Sequence, residues 1–124
     1  MTTQMARGEE LGNRITRFAG DIVQLSSRLP KSRQGRHIGM QILRSGTATA
    51  ANYAEARGAE SRADFIHKLR IVLKELNETQ VWLNLIDHTQ MLSPEITDQI
   101  VAENRELCKI IAASIKTARA APTF

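Results

Sequence analysis

The sequence is poor in the residues that stabilise small extracellular domains and β-sheets. Its 124 residues include one cysteine, three prolines and only 4% aromatic residues. Cys108 has no second cysteine with which to form an internal disulfide, and no four-ligand zinc spacing is present, so we expect a reducing, cytoplasmic environment. Few aromatics and prolines beside abundant alanine, leucine and isoleucine favour helices over sheets.

Long apolar runs and the motifs of common enzyme classes are also missing. Residues 1–14 (MTTQMARGEELGNR) contain no apolar run of signal-peptide length, and no stretch approaches about 18 uninterrupted apolar residues. A soluble protein without a membrane partner is expected. The motifs G-x-S-x-G and G-x-x-x-x-G-K-[ST] are absent, so the sequence lacks the residues that a hydrolase of that type or a P-loop nucleotide-binding protein requires.

Metal-ligating and nucleophilic residues are few and scattered. A di-metal carboxylate bundle needs two Glu-x-x-His pairs, whereas only the segment 64–67 (DFIH) has that shape, and it carries Asp. We expect His37, His67 and His88 to be surface or locally bonded residues. Cys108 has no neighbouring histidine to activate it and is expected to be a buried, inert side chain. No catalytic residue, metal ligand or cofactor is therefore predicted.

Acidic residues are absent between Asp21 and Glu55, although the chain as a whole carries thirteen of them against seventeen lysines and arginines, a net charge of +4. A local cationic patch of this kind favours a polyanionic partner such as RNA or DNA. The alternative is a solvated face that only aids solubility. The cations of this acid-free stretch are Arg28, Lys31, Arg33, Arg36 and Arg44.

Apolar periodicity predicts four helices in a single domain spanning residues 1–124, at about 9–29, 32–57, 60–89 and 94–118. Residues 1–8 are expected to be a frayed leader. Ser32 and Ser93 are plausible N-caps, and Gly58 suits a C-cap. Short connections between amphipathic helices predict an all-α antiparallel up-down-up-down bundle.

The third helix carries apolar residues on more than one side. Ile71 and Trp82 lie off the seam that faces the core, which indicates a contact with a second chain. The seam itself consists of Phe65, Leu69, Val72, Leu76, Thr79 and Leu83.

Small and polar residues alternate along the second helix. Residues 45–51 (SGTATAA) leave room for a close approach of two backbones, and Gly39 and Gly46 point to the same need. Polar residues at helical spacing then predict a structural network in which an arginine faces carboxylates inside the bundle, in preference to acid-base catalysis. Its predicted members are Arg44, Asn52, Glu55, Glu75 and Glu78.

Two segments, RSGTATAANYAEA at 44–56 and ESRADFIHKLRIVLKELNETQVWL at 60–83, resemble the four-helix-bundle family of proteins encoded by 23S ribosomal RNA intervening sequences. The looser likeness covers roughly residues 15–90. The matching positions are Arg44, Ser45, Ala51, Asn52, Tyr53, Glu55, Ser61, Phe65, Lys68, Leu69, Lys74, Glu75, Glu78, Thr79, Trp82 and Leu83.

The resemblance implies a small bundle that assembles into a homopentamer without established catalysis. It also implies a relation to the accessory variability proteins of diversity-generating retroelements, which bind nucleic acid and a reverse transcriptase. We therefore expect a basic homo-oligomeric scaffold that contacts structured RNA or other nucleic acid through Arg28, Lys31, Arg33 and Arg36, without base readout. The alternatives are a protein assembly module without nucleic-acid binding, and a carboxylate metalloenzyme.

Overall fold

The computed structural model describes residues 3–122, and every regular element within them is a helix. Each helix packs against its neighbours in the chain, and the first packs against the last. The prediction of an all-α antiparallel four-helix bundle is confirmed. The helices are α1 (Gln4–Ser27), α2 (Arg33–Arg57), α3 (Arg62–His88) and α4 (Pro94–Ala120).

The core is apolar and draws on all four helices, because each contributes side chains at helical spacing to one interior. None of the helices within residues 3–122 is both long enough and apolar enough to cross a bilayer. The predicted seam of α3 is buried in the interior from Leu69 to Leu83. The largest fully buried side chains include Phe18, Ile22, Ile42, Leu76, Leu83 and Ile111.

The helix ends follow the capping residues of the sequence. Ser32 accepts a hydrogen bond from the backbone N–H of Gly35 at 3.1 Å, and Gly58 caps the end of α2, as predicted. Ser93 lies at the N-cap of α4 with Pro94 at the first helical position, but its side chain makes no capping hydrogen bond.

The prediction of a frayed leader over residues 1–8 is wrong for the described part of that segment, because α1 begins at Gln4. The C-terminal part of α2 holds this extra turn. The Tyr53 hydroxyl donates to the Gly8 carbonyl at 3.2 Å, and the Arg57 guanidinium donates to the Met5 carbonyl at 3.4 Å. These contacts lie 45 and 52 positions apart in the chain, so local periodicity could not indicate them.

Glycines of α2 allow α1 to approach closely. A Cβ atom added at Gly46 would lie 2.5 Å from a methyl carbon of Ile22, and one at Gly39 would lie 3.5 Å from Leu29. Ile22 is fully buried, so it has little room to move. The close approach predicted from the small residues of α2 is confirmed. It fixes the relative positions of α1 and α2, and therefore of the connection that joins them.

Candidate nucleic-acid interface

Four cations surround the connection between α1 and α2, and we call this surface the cationic corner: Arg28, Lys31, Arg33 and Arg36. All four are exposed. Arg28 is the C-cap residue of α1, and Arg33 is the first residue of α2. The two helix ends therefore bring cations that are up to eight positions apart in the chain to one end of the bundle.

The backbone beneath the cationic corner is tightly packed. Leu29 is buried with 6% of its surface exposed, and it anchors the connection to the core. A Cβ atom added at Gly35 would lie 2.0 Å from the carbonyl oxygen of Pro30, so this position has room only for glycine. The Arg36 N–H donates to the Ser32 carbonyl at 2.9 Å. The corner is consequently presented on a defined backbone.

The charge of the cationic corner is not neutralised by the described part of the chain. Five ion pairs occur within residues 3–122, and none of them includes a member of the corner. The first turn of α2 contains no acid, so the positive end of its helix dipole adds to the cationic potential. Such a surface can bind phosphate groups through charge-assisted hydrogen bonds.

Arg44, the fifth cation of the acid-free stretch, is in a different environment. Its guanidinium donates to Glu75 at 3.2 Å and also to Glu78, both on α3. Glu78 additionally accepts a hydrogen bond from the Trp82 indole N–H at 3.1 Å. This indole bond, followed by the bond from Arg44, lowers the pKa of the Glu78 carboxyl, while the bond to Glu78 raises the pKa of Arg44. Arg44 thus links α2 to α3.

In this Arg44 cluster the structure pairs an exposed Arg44 with the buried Glu75 and the partly buried Glu78, and it divides the rest of the predicted five-residue network. The Arg44 side chain is 52% exposed, so the expected interior position is not observed. Asn52 donates to the Ala48 carbonyl of its own helix at 2.9 Å, and Glu55 pairs instead with Lys68 at 3.5 Å. Arg44 and Glu55 lie far apart along α2 and therefore meet different turns of α3. One network cannot include both residues.

The predicted interface residues Ile71 and Trp82 are both partly buried on α3. The Trp82 ring meets the ring of His37 edge-on, with centroids 6.2 Å apart and an interplanar angle of 84°. Met40, three positions after His37 on α2, is 72% exposed. On α3, Val81 and Leu85 are also exposed. We call this surface the α2–α3 outer face: Met40, Leu43, Val81, Trp82 and Leu85.

One ion pair was not predicted at all. The Arg14 guanidinium on α1 donates two hydrogen bonds of 2.7 Å to the Glu103 carboxylate on α4. This bond lowers the pKa of Glu103 and raises the pKa of Arg14. The partners are 89 positions apart, so the sequence of either helix carries no signal for their pairing.

Cys108 and the histidines form no reactive group within the described residues. Burial raises the pKa of the Cys108 thiol, which disfavours the nucleophilic thiolate. Its sulfur lies 3.7 Å from the Asn77 amide oxygen. No set of three or more His, Cys, Asp or Glu side chains between residues 3 and 122 is arranged to hold a metal ion.

The sequence of the bundle and its surfaces is similar to that of a known protein family. The model of the 23S rRNA-intervening sequence protein family matches residues 10–113, most of the chain. The chain belongs to this family. The match includes the cationic corner, the Arg44 cluster and most of α4, for which the sequence offered no recognisable motif.

A solved structure shows the same fold in a related protein. The crystal structure of a protein of unknown function from the S23 ribosomal protein family of Bacteroides thetaiotaomicron is 40% identical in sequence and has a TM-score of 0.83. The similarity covers 89% of this chain and 98% of that one. No curated protein matches the chain. The relation to retroelement accessory proteins stays a prediction.

Proposed function

We propose that the protein is a non-enzymatic, basic homo-oligomeric scaffold that binds structured RNA or other nucleic acid through phosphate contacts. The observation that carries this proposal is the cationic corner, whose four exposed cations have no acidic partner within residues 3–122. Phosphate groups would supply the missing anions. The family name refers to an intervening sequence of 23S rRNA, which makes RNA the first nucleic acid to test.

Assembly would strengthen this binding. In the proposed homopentamer each subunit contributes a net charge of +4, and ring symmetry repeats the cationic corner five times around an axis. A polyanion that contacts several corners at once binds with an avidity far above that of one corner. Phosphate contacts position the nucleic acid but do not read its bases, so sequence preference is expected to be weak.

A salt titration of binding to an RNA hairpin of arbitrary sequence tests the proposal. If four phosphates are neutralised by one corner, log Kobs should fall with log [salt] with a slope of roughly −3 to −4 per engaged subunit. The double variant Arg33→Ala/Arg36→Ala should weaken binding and reduce the magnitude of this slope by about 2 per engaged subunit.

The matched control removes two exposed cations elsewhere, in the variant Arg70→Ala/Arg105→Ala. It changes the net charge by the same amount and should leave the slope nearly unchanged. Equal losses in both variants would mean that net charge alone attracts the RNA. Absence of binding at low salt would remove nucleic acid as a partner.

The second proposal is a protein assembly module without nucleic-acid binding, which the α2–α3 outer face favours. Met40 and Val81 expose 72% and 53% of their surfaces, and packing against a second copy would remove this apolar area from water. Light scattering should give five times the subunit mass of 13.8 kDa, and Met40→Glu/Val81→Lys should yield monomers. A monomeric native protein would contradict both the pentamer and the avidity.

The reverse transcriptase partner also stays a prediction, testable by co-purification.

A further inference from the structure

The bundle is open between its first and last helices. α1 and α4 pack together over a shorter stretch than the other three neighbouring pairs. Between residues 14–28 of α1 and residues 95–103 of α4 lies an open groove with a volume of about 870 Å³, which we call the α1–α4 groove. The Arg14–Glu103 ion pair spans it at one end.

The two walls of the α1–α4 groove have opposite charges. The α1 wall carries Arg17 and Arg28 in addition to Arg14, against one acid, Asp21. The α4 wall carries Glu95 and Glu103 and contributes no cation to the groove lining. Arg14 and Glu103 satisfy each other, whereas Arg17, Arg28 and Glu95 belong to none of the ion pairs of the described residues. Glu95 interacts only locally, with its own backbone and with Ser93, and so still lacks a cationic partner.

The groove also has an apolar strip and free space. Ile96 and Ile100 lie one turn apart on α4, and both are only partly buried. Gly20 lines the opposite helix, and a Cβ atom added there would meet no atom within 4 Å. Ile100 packs in part against the core, but both isoleucines keep an exposed portion that α1 would cover in a bundle closed on this side.

We infer that the α1–α4 groove binds an amphipathic helix of a partner protein, with an acidic flank against α1 and a basic flank against α4. An apolar ridge on that helix would cover Ile96 and Ile100, which is the usual mode of helix-in-groove recognition. The α4 wall from Glu95 to Glu103 is roughly 12 Å long at 1.5 Å per residue, enough for about two turns of the partner. Opposite wall charges select a helix whose two flanks differ in sign.

Other classes of ligand fit the groove less well. The acids Asp21, Glu95 and Glu103 offset the three arginines of the lining, so the groove has no net attraction for a polyanion and does not extend the phosphate surface of the cationic corner. A peptide that binds by adding a β-strand needs an exposed strand edge, and both walls are helices whose backbone hydrogen bonds are made within the helix. This inference does not depend on nucleic-acid binding, although Arg28 borders both surfaces.

Two synthetic helical peptides of identical composition test the inference by fluorescence anisotropy. Both carry leucines along one face. The split peptide has glutamates on one flank and lysines on the other, and the mixed peptide has both residue types on each flank. We expect the full chain to bind the split peptide at least tenfold more tightly, whichever direction the helix takes in the groove.

Variants of the full chain test whether the split peptide binds in the α1–α4 groove. Gly20→Leu places a bulky side chain at a position where an added Cβ meets no atom, and it should weaken binding of the split peptide at least tenfold. Arg17→Glu should weaken it several-fold, whereas Arg105→Glu, outside the groove, should not. Equal binding of both peptides, no binding, or an affinity unchanged by Gly20→Leu would overturn the inference. RNA binding should be the same in Gly20→Leu, which separates this result from the cationic corner.

Discussion

The two sides of α1 differ in how they meet their neighbours. Towards α2, the fully buried Ile22 lies directly against Gly46, and the two backbones approach closely. Towards α4, the space beside Gly20 is empty and a partly exposed ion pair joins the helices. A glycine therefore has opposite consequences on the two sides, since it admits a neighbouring helix in one case and leaves a groove in the other.

The difference shows which contacts hold the bundle and which surfaces are left for partners. Buried apolar packing against Gly46 is worth more than a surface ion pair, which typically contributes less than about 1 kcal/mol. Hence the α1–α2 side presents the cationic corner rigidly. The α1–α4 side contributes less to stability and leaves the apolar strip of α4 only partly covered, where a partner can bind.

The largest expected effect is at the end of the α1–α2 side, in the variant Gly35→Ala. The added methyl would lie 2.0 Å from the Pro30 carbonyl oxygen, and a backbone atom cannot move aside as a flexible side chain can. We expect a loss of about 3 kcal/mol in the free energy of unfolding, measured by urea titration. RNA binding should also weaken, because the corner must shift. A loss below about 1 kcal/mol would mean that this connection is adaptable.

Gly46→Ala should be the next most disruptive change. The added methyl would lie 2.5 Å from one carbon of Ile22 and 2.9 Å from its Cβ, and a β-branched side chain has few alternative rotamers. We expect a loss of about 2 kcal/mol. A double-mutant cycle with Ile22→Ala is the control, and the double variant should lose less than the two single changes added together. Additive losses would show that Ile22 is not the obstacle.

Patterns within one helix predicted the fold and the cationic corner, whereas most side-chain contacts between distant helices escaped prediction. The core of α3 and the close approach at Gly46 follow from apolar periodicity and small residues. The acid-free stretch located five cations but did not separate Arg44 from the other four, because an absence of acids in sequence is not an absence in space; only the polar stripe of α2 grouped Arg44 with Glu75 and Glu78 of α3. Arg14 and Glu103 show the same limit, since each has an ordinary place on its own helix.

Glu103→Gln should weaken the α1–α4 side moderately. The substitution removes the charge that receives both Arg14 hydrogen bonds, and the two side chains are 37% and 30% exposed, so solvent screens the loss. We expect a decrease of about 1 kcal/mol in the free energy of unfolding at pH 7. The charge-matched control Glu106→Gln removes a more exposed carboxylate on the same helix and should cost less.

The same variant makes a prediction about pH. Arg14 lowers the pKa of Glu103 in the folded protein below its unfolded value of about 4.3. The ion pair therefore stabilises the fold fully above that pH, and its contribution is lost as the pH falls through the lower folded pKa. The stability difference between the native protein and Glu103→Gln should shrink below about pH 4. A difference independent of pH would mean that the charge of Glu103 is not its cause.

Gly20→Ala should have the smallest effect and the opposite sign to Gly46→Ala. Gly20 is exposed within α1, and an added methyl meets nothing within 4 Å, so only the helix propensity changes. Alanine is favoured over glycine in a helix interior, and the expected gain is about 0.5 to 1 kcal/mol in the free energy of unfolding. If Gly20→Ala instead destabilises the protein, α4 lies closer to α1 in solution than the groove allows. The two sides of α1 would then be alike, and the apolar strip of α4 would already be covered.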